Sequence, residues 1–87
     1  MTPEAAAKQI QRDYLGDGVD LSTIYSFMDA TCDYMSRQQK TGTTYEAAKA
    51  SMEEIRSQMA DVITETQFDK IIDLAIRGEC PELLNWK

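Results

Sequence analysis

Asp29 and Asp33 stand four residues apart, the spacing that puts two carboxylates on one face of a helix. Paired carboxylates do acid–base or metal work in helical bundles, where they project inward beside Glu-x-x-His ligands. The chain has no histidine. That removes such a ligand set, the Ser-His-Asp and Cys-His nucleophile pairs, and the commonest general base. By helical count both aspartates point away from the apolar stripe of their own segment, and Arg37 lies one turn beyond Asp33, close enough to neutralise it. A solvated face is therefore expected here, and no catalytic residue is assigned.

Cys32 and Cys80 are the only thiols. A zinc site needs four ligands in a compact spacing, which two distant cysteines do not supply. Two cysteines in a chain of 87 residues also fall short of a disulfide scaffold. Cys32 falls on an apolar stripe and is expected to be a small core residue. Cys80 precedes Pro81 and is expected as an accessible loop thiol, the two remaining unbridged in a reducing compartment. The start Met1-Thr2-Pro3-Glu4-Ala5 lacks the basic and apolar parts of a secretory signal, so the expected location is the cytoplasm.

Other fragments of motifs fail on their own chemistry. Asp13, Asp17 and Gly18 fit positions one, five and six of a calcium loop, but Leu15 occupies a ligand position and Ile24 stands where the closing acid belongs. Gly16 and Gly18 do not follow a strand, as a phosphate loop requires. Asp20-Leu21-Ser22 scrambles the Asp-Ser-Leu order that carries a phosphopantetheine arm, and Ser22 reads as a helix-start residue. No metal and no cofactor is expected.

These residues must be held by helices. Thr2 caps a first segment, Pro3 to Leu15, ended by Gly16-Asp17-Gly18. Asp20 caps a second, Leu21 to Lys40, in which Leu21, Ile24, Tyr25, Met28, Cys32 and Met35 recur in steps of three and four. Thr41-Gly42 stops it. Thr43 and Glu46 have the spacing of a capping box. The seam Tyr45, Ala48, Met52, Ile55, Met59 and Val62 follows, with Glu46, Lys49, Glu53 and Arg56 on its solvent side.

That phase breaks at Thr64-Glu65-Thr66. A fourth segment, with Phe68, Ile71, Ile72 and Ala75 apolar, starts from a cap at Thr64 or Thr66 and ends at Gly78, with Asp73 and Arg77 paired in its last turn. A single kinked helix from Thr43 to Arg77 is the alternative. Pro81 opens one short further turn. The expected fold is all-α: one domain over residues 1–87, a small antiparallel bundle of four helices with a short C-terminal helical turn.

Size and charge narrow the function. A chain this short buries roughly 60–65% of its unfolded surface, so an enclosed active site would cost core that it can hardly spare. Fifteen acids against nine scattered bases give a net charge of −6, which argues against direct binding to nucleic acid. No apolar run reaches membrane-spanning length. What remains is surface. Phe27, Thr31 and Tyr34 form a second strip on the second helix, either wedged against a neighbour or free for contact. Leu83, Leu84 and Trp86 lie near the chain end, as a plug on the bundle or as an anchor, tryptophan being enriched at interface hot spots. These six residues form the expected partner surface. The expected function is a non-catalytic protein-binding module, a small adaptor, regulator or inhibitor, with a homodimer as one possible arrangement. Alternatives are an acidic inhibitor of a nucleic-acid-handling enzyme, of the kind mobile elements encode, and a minimal enzyme or carrier.

Overall fold

A computed structural model describes residues 1–54 and 63–86. Helix α1 spans Pro3–Ile10 and passes directly into a wider π turn, Gln11–Leu15. The Thr2 hydroxyl accepts the Ala5 N–H at 3.1 Å, and Pro3 opens the helix where no intrahelical donor is needed. The π turn closes on Gly16, whose N–H donates to the Gln11 carbonyl at 2.7 Å. Gly16 has φ +78°, a conformation that glycine adopts without a Cβ penalty. The Gln11 side chain then donates to the Val19 carbonyl at 2.8 Å, tying the turn to the helix that precedes it.

Helix α2 is Leu21–Lys40, with the bounds its cap and stop residues predict. Asp20 accepts the Thr23 N–H at 2.8 Å, and Gly42 (φ +85°) turns the chain after it. Helix α3 is Tyr45–Ser51. Its cap is Thr44, which accepts the Ala47 N–H at 3.1 Å, and not Thr43 as the capping-box spacing suggests. Thr43 is used by the turn instead: its N–H donates to the Gln38 carbonyl at 3.1 Å. Tyr45, Ala48 and Met52 of the expected seam are buried, whereas Ile55, Met59 and Val62 lie outside the described residues.

Helix α4 is Glu65–Glu79, opened by a capping box in which Thr64 and Gln67 each accept the other's backbone N–H. Ile63 and Thr64 are not helical, so α3 and α4 are separate helices. Seven of its residues are buried: Phe68, Ile71, Ile72, Leu74, Ala75, Ile76 and Gly78. A helix so widely apolar must sit between neighbours, and α4 packs on both α1 and α2. Gly78 does not end it, since the helix continues through Glu79. Its role is close packing against Ala6 of α1. A 3-10 turn, Pro81–Trp86, completes the described chain.

Contacts fix the directions. Tyr45 meets Asp73 and Lys49 meets Asp69, so α3 and α4 are antiparallel. Phe27 meets Phe68 and Cys32 meets Cys80, so α2 and α4 run the same way. Ala6 lies beside Gly78, while Leu15 lies near Phe68 and Ile71, so α1 opposes α4. The result is the expected up-down-up-down bundle around one core. Among the described residues there is no strand, and no helix is long and apolar enough to cross a membrane.

The cysteines correct the sequence reading. Cys32 and Cys80 are joined in a disulfide with a Cα–Cα distance of 6.1 Å. Cys80 is not an accessible loop thiol: it is 4% exposed and forms the C-cap of α4. Its non-helical backbone (φ −140°, ψ 59°) ends the helix, and its side chain reaches Cys32 of α2. Spacing along the chain carries no sign of this, because the two cysteines are 48 residues apart and meet only once α2 and α4 are packed.

Candidate functional site

Helix α3 and the middle of α4 position a polar cluster that opens at the surface onto the tail. Tyr45 and Lys49 share one face of α3 at i,i+4 spacing, and Asp69 and Asp73 share the facing side of α4. The Lys49 ammonium contacts Asp69 at 2.7 Å and Asp73 at 3.1 Å, with its side chain only 8% exposed. The Tyr45 hydroxyl donates to the same Asp73 oxygen at 2.8 Å, and the Tyr45 ring lies 5.4 Å from the Lys49 nitrogen. Burial works against the Lys49 charge, but the bonds to Asp69 and Asp73 outweigh it, so its pKa is raised. Burial, then the bond to Asp73, raises the Tyr45 pKa as well. Lys49 is thus a held cation, not a free amine, and cannot serve as a nucleophile in this state.

Trp86 closes the outer side of the cluster. Its ring stands edge-on to Tyr45 at 5.5 Å and 84°, a preferred aromatic geometry. It is half-buried. Together with Tyr45, Gln39, Thr43 and Glu46 it lines an open cavity of about 430 Å³ at the α2–α3 turn. No protein-family model, no characterised protein and no solved structure matches this chain.

The six residues singled out in the sequence do not form one face. Thr31 is fully buried and Leu83 is 3% exposed, so neither is available to a partner. Phe27 is half-buried and edge-on to Phe68 at 6.0 Å. It lines an apolar cavity of about 270 Å³ with Leu15, Val19, Ile24, Ile63 and Ile71. Tyr34 is half-buried against the core. Helix α2 is wedged among α1, α3, α4 and the tail, which accounts for its second apolar strip. Leu84 and Trp86 remain partly exposed on the tail.

The aspartate pair also separates. Asp33 bonds Arg37 at 3.2 Å on an exposed face, as its spacing suggests. Asp29 instead neighbours Glu79 of α4, and burial, then the Asp29 carboxylate, pushes the Glu79 carboxyl up to about 7. Asp13 of the calcium-like fragment is engaged by Arg12 at 2.9 Å. Among the described residues no group of three or more metal-ligating side chains converges.

Sequence reasoning missed Lys49, placing it with the solvent-facing charges. A signal was present: Lys49 shares the face of Tyr45, a seam residue, so its stem follows that seam inward.

Proposed function

We propose that this chain is a non-catalytic protein-binding module that presents its C-terminal tail, with Trp86 as the central anchor. The observation that carries this reading is the bracing of Trp86. Its ring is held by Tyr45, which is held by Asp73, which in turn holds Lys49. An aromatic side chain fixed in advance at the surface loses little freedom on binding, and tryptophan is the residue type most enriched at hot spots. Leu84 adds apolar area beside it. A homodimer through the same face is one arrangement of this reading.

The test is a pull-down from the source cell with wild type and Trp86→Ser, each checked for an unchanged helical signal. A protein retained by wild type and lost with the variant supports the proposal. Equal retention by both moves the interface elsewhere.

A second reading, an acidic inhibitor of a nucleic-acid-handling enzyme, is favoured by one feature. Glu46, Glu53, Glu65 and Asp69 line a single groove between α3 and α4. Binding of that kind would collapse as salt rises, whereas an apolar anchor would persist. The cytoplasmic expectation rested partly on unpaired thiols. A buried disulfide in a small domain favours an oxidising compartment instead, and we propose that location.

A further inference from the structure

The Cys32–Cys80 bond sits at a boundary between two unequal parts of the chain. On the N-terminal side of Cys80, α4 is anchored without it. Ile71, Ile72, Ala75 and Ile76 are buried to 1% exposure or less, and Gly78 packs on Ala6. On the C-terminal side the described residues form the 3-10 turn Pro81–Trp86. It has one buried side chain, Leu83, and one hydrogen bond back to the boundary, from the Leu83 N–H to the Cys80 carbonyl at 3.0 Å. Short 3-10 turns have poor hydrogen-bond geometry.

The tail lies on α2 as well as on α4. Its one covalent link to α2 is the disulfide, which fixes Cys80 against Cys32 and so aims the turn that follows towards Gln39 and Tyr45. We infer that Cys32–Cys80 is the positioning cross-link of the tail, and that the oxidation state of these two sulfurs sets whether Trp86 stands against Tyr45. Reduction by a dithiol breaks the S–S bond. Two electrons and two protons pass to Cys32 and Cys80, which become thiols, and the dithiol closes to its own disulfide. The core of α1, α2 and α4 stays packed, and the tail is released with its anchors. This rests on the tail-binding reading only for its biological use; the structural statement stands apart from any partner.

Trp86 is the only tryptophan in the chain, so its fluorescence reports this contact alone. The experiment compares the full chain before and after dithiol treatment, with reduction verified by titration of two thiols per chain. The expected result is a red shift of the Trp86 emission, lower anisotropy and stronger acrylamide quenching, while the helical circular-dichroism signal is kept. A Cys32→Ser, Cys80→Ser double variant should show the released spectrum from the start and no response to the dithiol. An unchanged Trp86 signal after complete reduction overturns the inference and leaves the binding proposal standing. Loss of the helical signal along with the Trp86 change also overturns it, because the bond would then hold the whole bundle and not the tail. A released tail in a protein whose partner binding ignores Trp86 supports the inference and removes the binding proposal.

Discussion

Gly78 of α4 passes so close to Ala6 of α1 that a Cβ built on it would lie 2.5 Å from the Ala6 Cβ. Real carbon atoms do not approach that closely, so the two helices meet at this depth only because residue 78 has no side chain. Gly78→Ala would ordinarily gain about 1 kcal/mol of helix propensity. Here the overlap dominates: the helices must part, at a cost of about 1–3 kcal/mol. A net loss of stability in urea unfolding is expected. Gly18→Ala, where a Cβ meets nothing within 4 Å, serves as the control and should change stability by about 0.5 kcal/mol or less. A Gly78→Ala protein at least as stable as wild type would show that α1 is free to shift.

Thr31 is fully buried, and its hydroxyl has no hydrogen-bond partner among the described residues. Thr31→Val keeps the shape and removes the unsatisfied group. It should stabilise the fold by about 1 kcal/mol. A destabilised variant in the same unfolding assay would mean that the hydroxyl has a partner, such as a trapped water.

The Lys49 cluster should behave as a coupled unit. Lys49→Met leaves Asp73 partly buried without its cation, and a loss of about 1–2 kcal/mol is expected. The figure is held down because Asp69 is 58% exposed and water can replace its partner. A double-mutant cycle with Asp73→Asn should give a coupling energy above about 0.5 kcal/mol. Strict additivity would reduce the cluster to proximity.

Glu79 gives a pH dependence with a definite sign. Its carboxyl titrates near 7 in the folded chain, above its ordinary value of 4.5. A raised carboxyl holds its proton more tightly when folded, so its contribution is fully present below about pH 4.5 and is lost as pH rises through about 7. Wild type should therefore lose stability across that window. Glu79→Gln should remove that component and be the more stable protein at pH 8. Parallel curves for the two proteins at pH 5 and pH 8 would contradict this assignment.

The disulfide spans a sequence separation of 48 residues. Closing so long a loop restricts the unfolded chain, and the entropy relation gives about 4 kcal/mol at most. Cys80→Ser is expected to lower unfolding stability by about 2–4 kcal/mol. Neither cysteine of the oxidised wild type should label with a thiol reagent under native conditions. Rapid labelling of Cys80 without reductant would restore the free thiol that the sequence suggests.

Local signals in the sequence were accurate where the physics is local. Thr2, Asp20 and Thr64 cap their helices because a side-chain oxygen needs only a donor three residues on. Gly42 turns the chain for an equally short-range reason. The cap of α3 is misplaced by one residue because Thr43 and Thr44 carry the same hydroxyl, and only the turn geometry decides between them. Long-range pairing was invisible. Nothing near Cys80 announces Cys32, nothing near Asp29 announces Glu79, and Gly78 looks like a helix stop when read without Ala6. Of the expected partner surface, Phe27, Tyr34, Leu84 and Trp86 keep some exposure. Thr31 is fully buried, the wedged arrangement that its strip left open beside a free contact surface, and only the packing of the neighbouring helices decides between the two.

Among the described helices α4 has the most buried residues, and it is made after α1, α2 and α3. Residues 65–79 pack against both α1 and α2, so a nascent chain on the ribosome carries Ile10, Ile24 and Met28 uncovered until residue 79 has been made. The first two helices form a hairpin with an open apolar seam, the kind of surface that holdase chaperones recognise. Oxidation is ordered by the same fact: Cys32 waits, as a lone thiol open to mixed-disulfide formation, until Cys80 emerges after the helix that brings the two together.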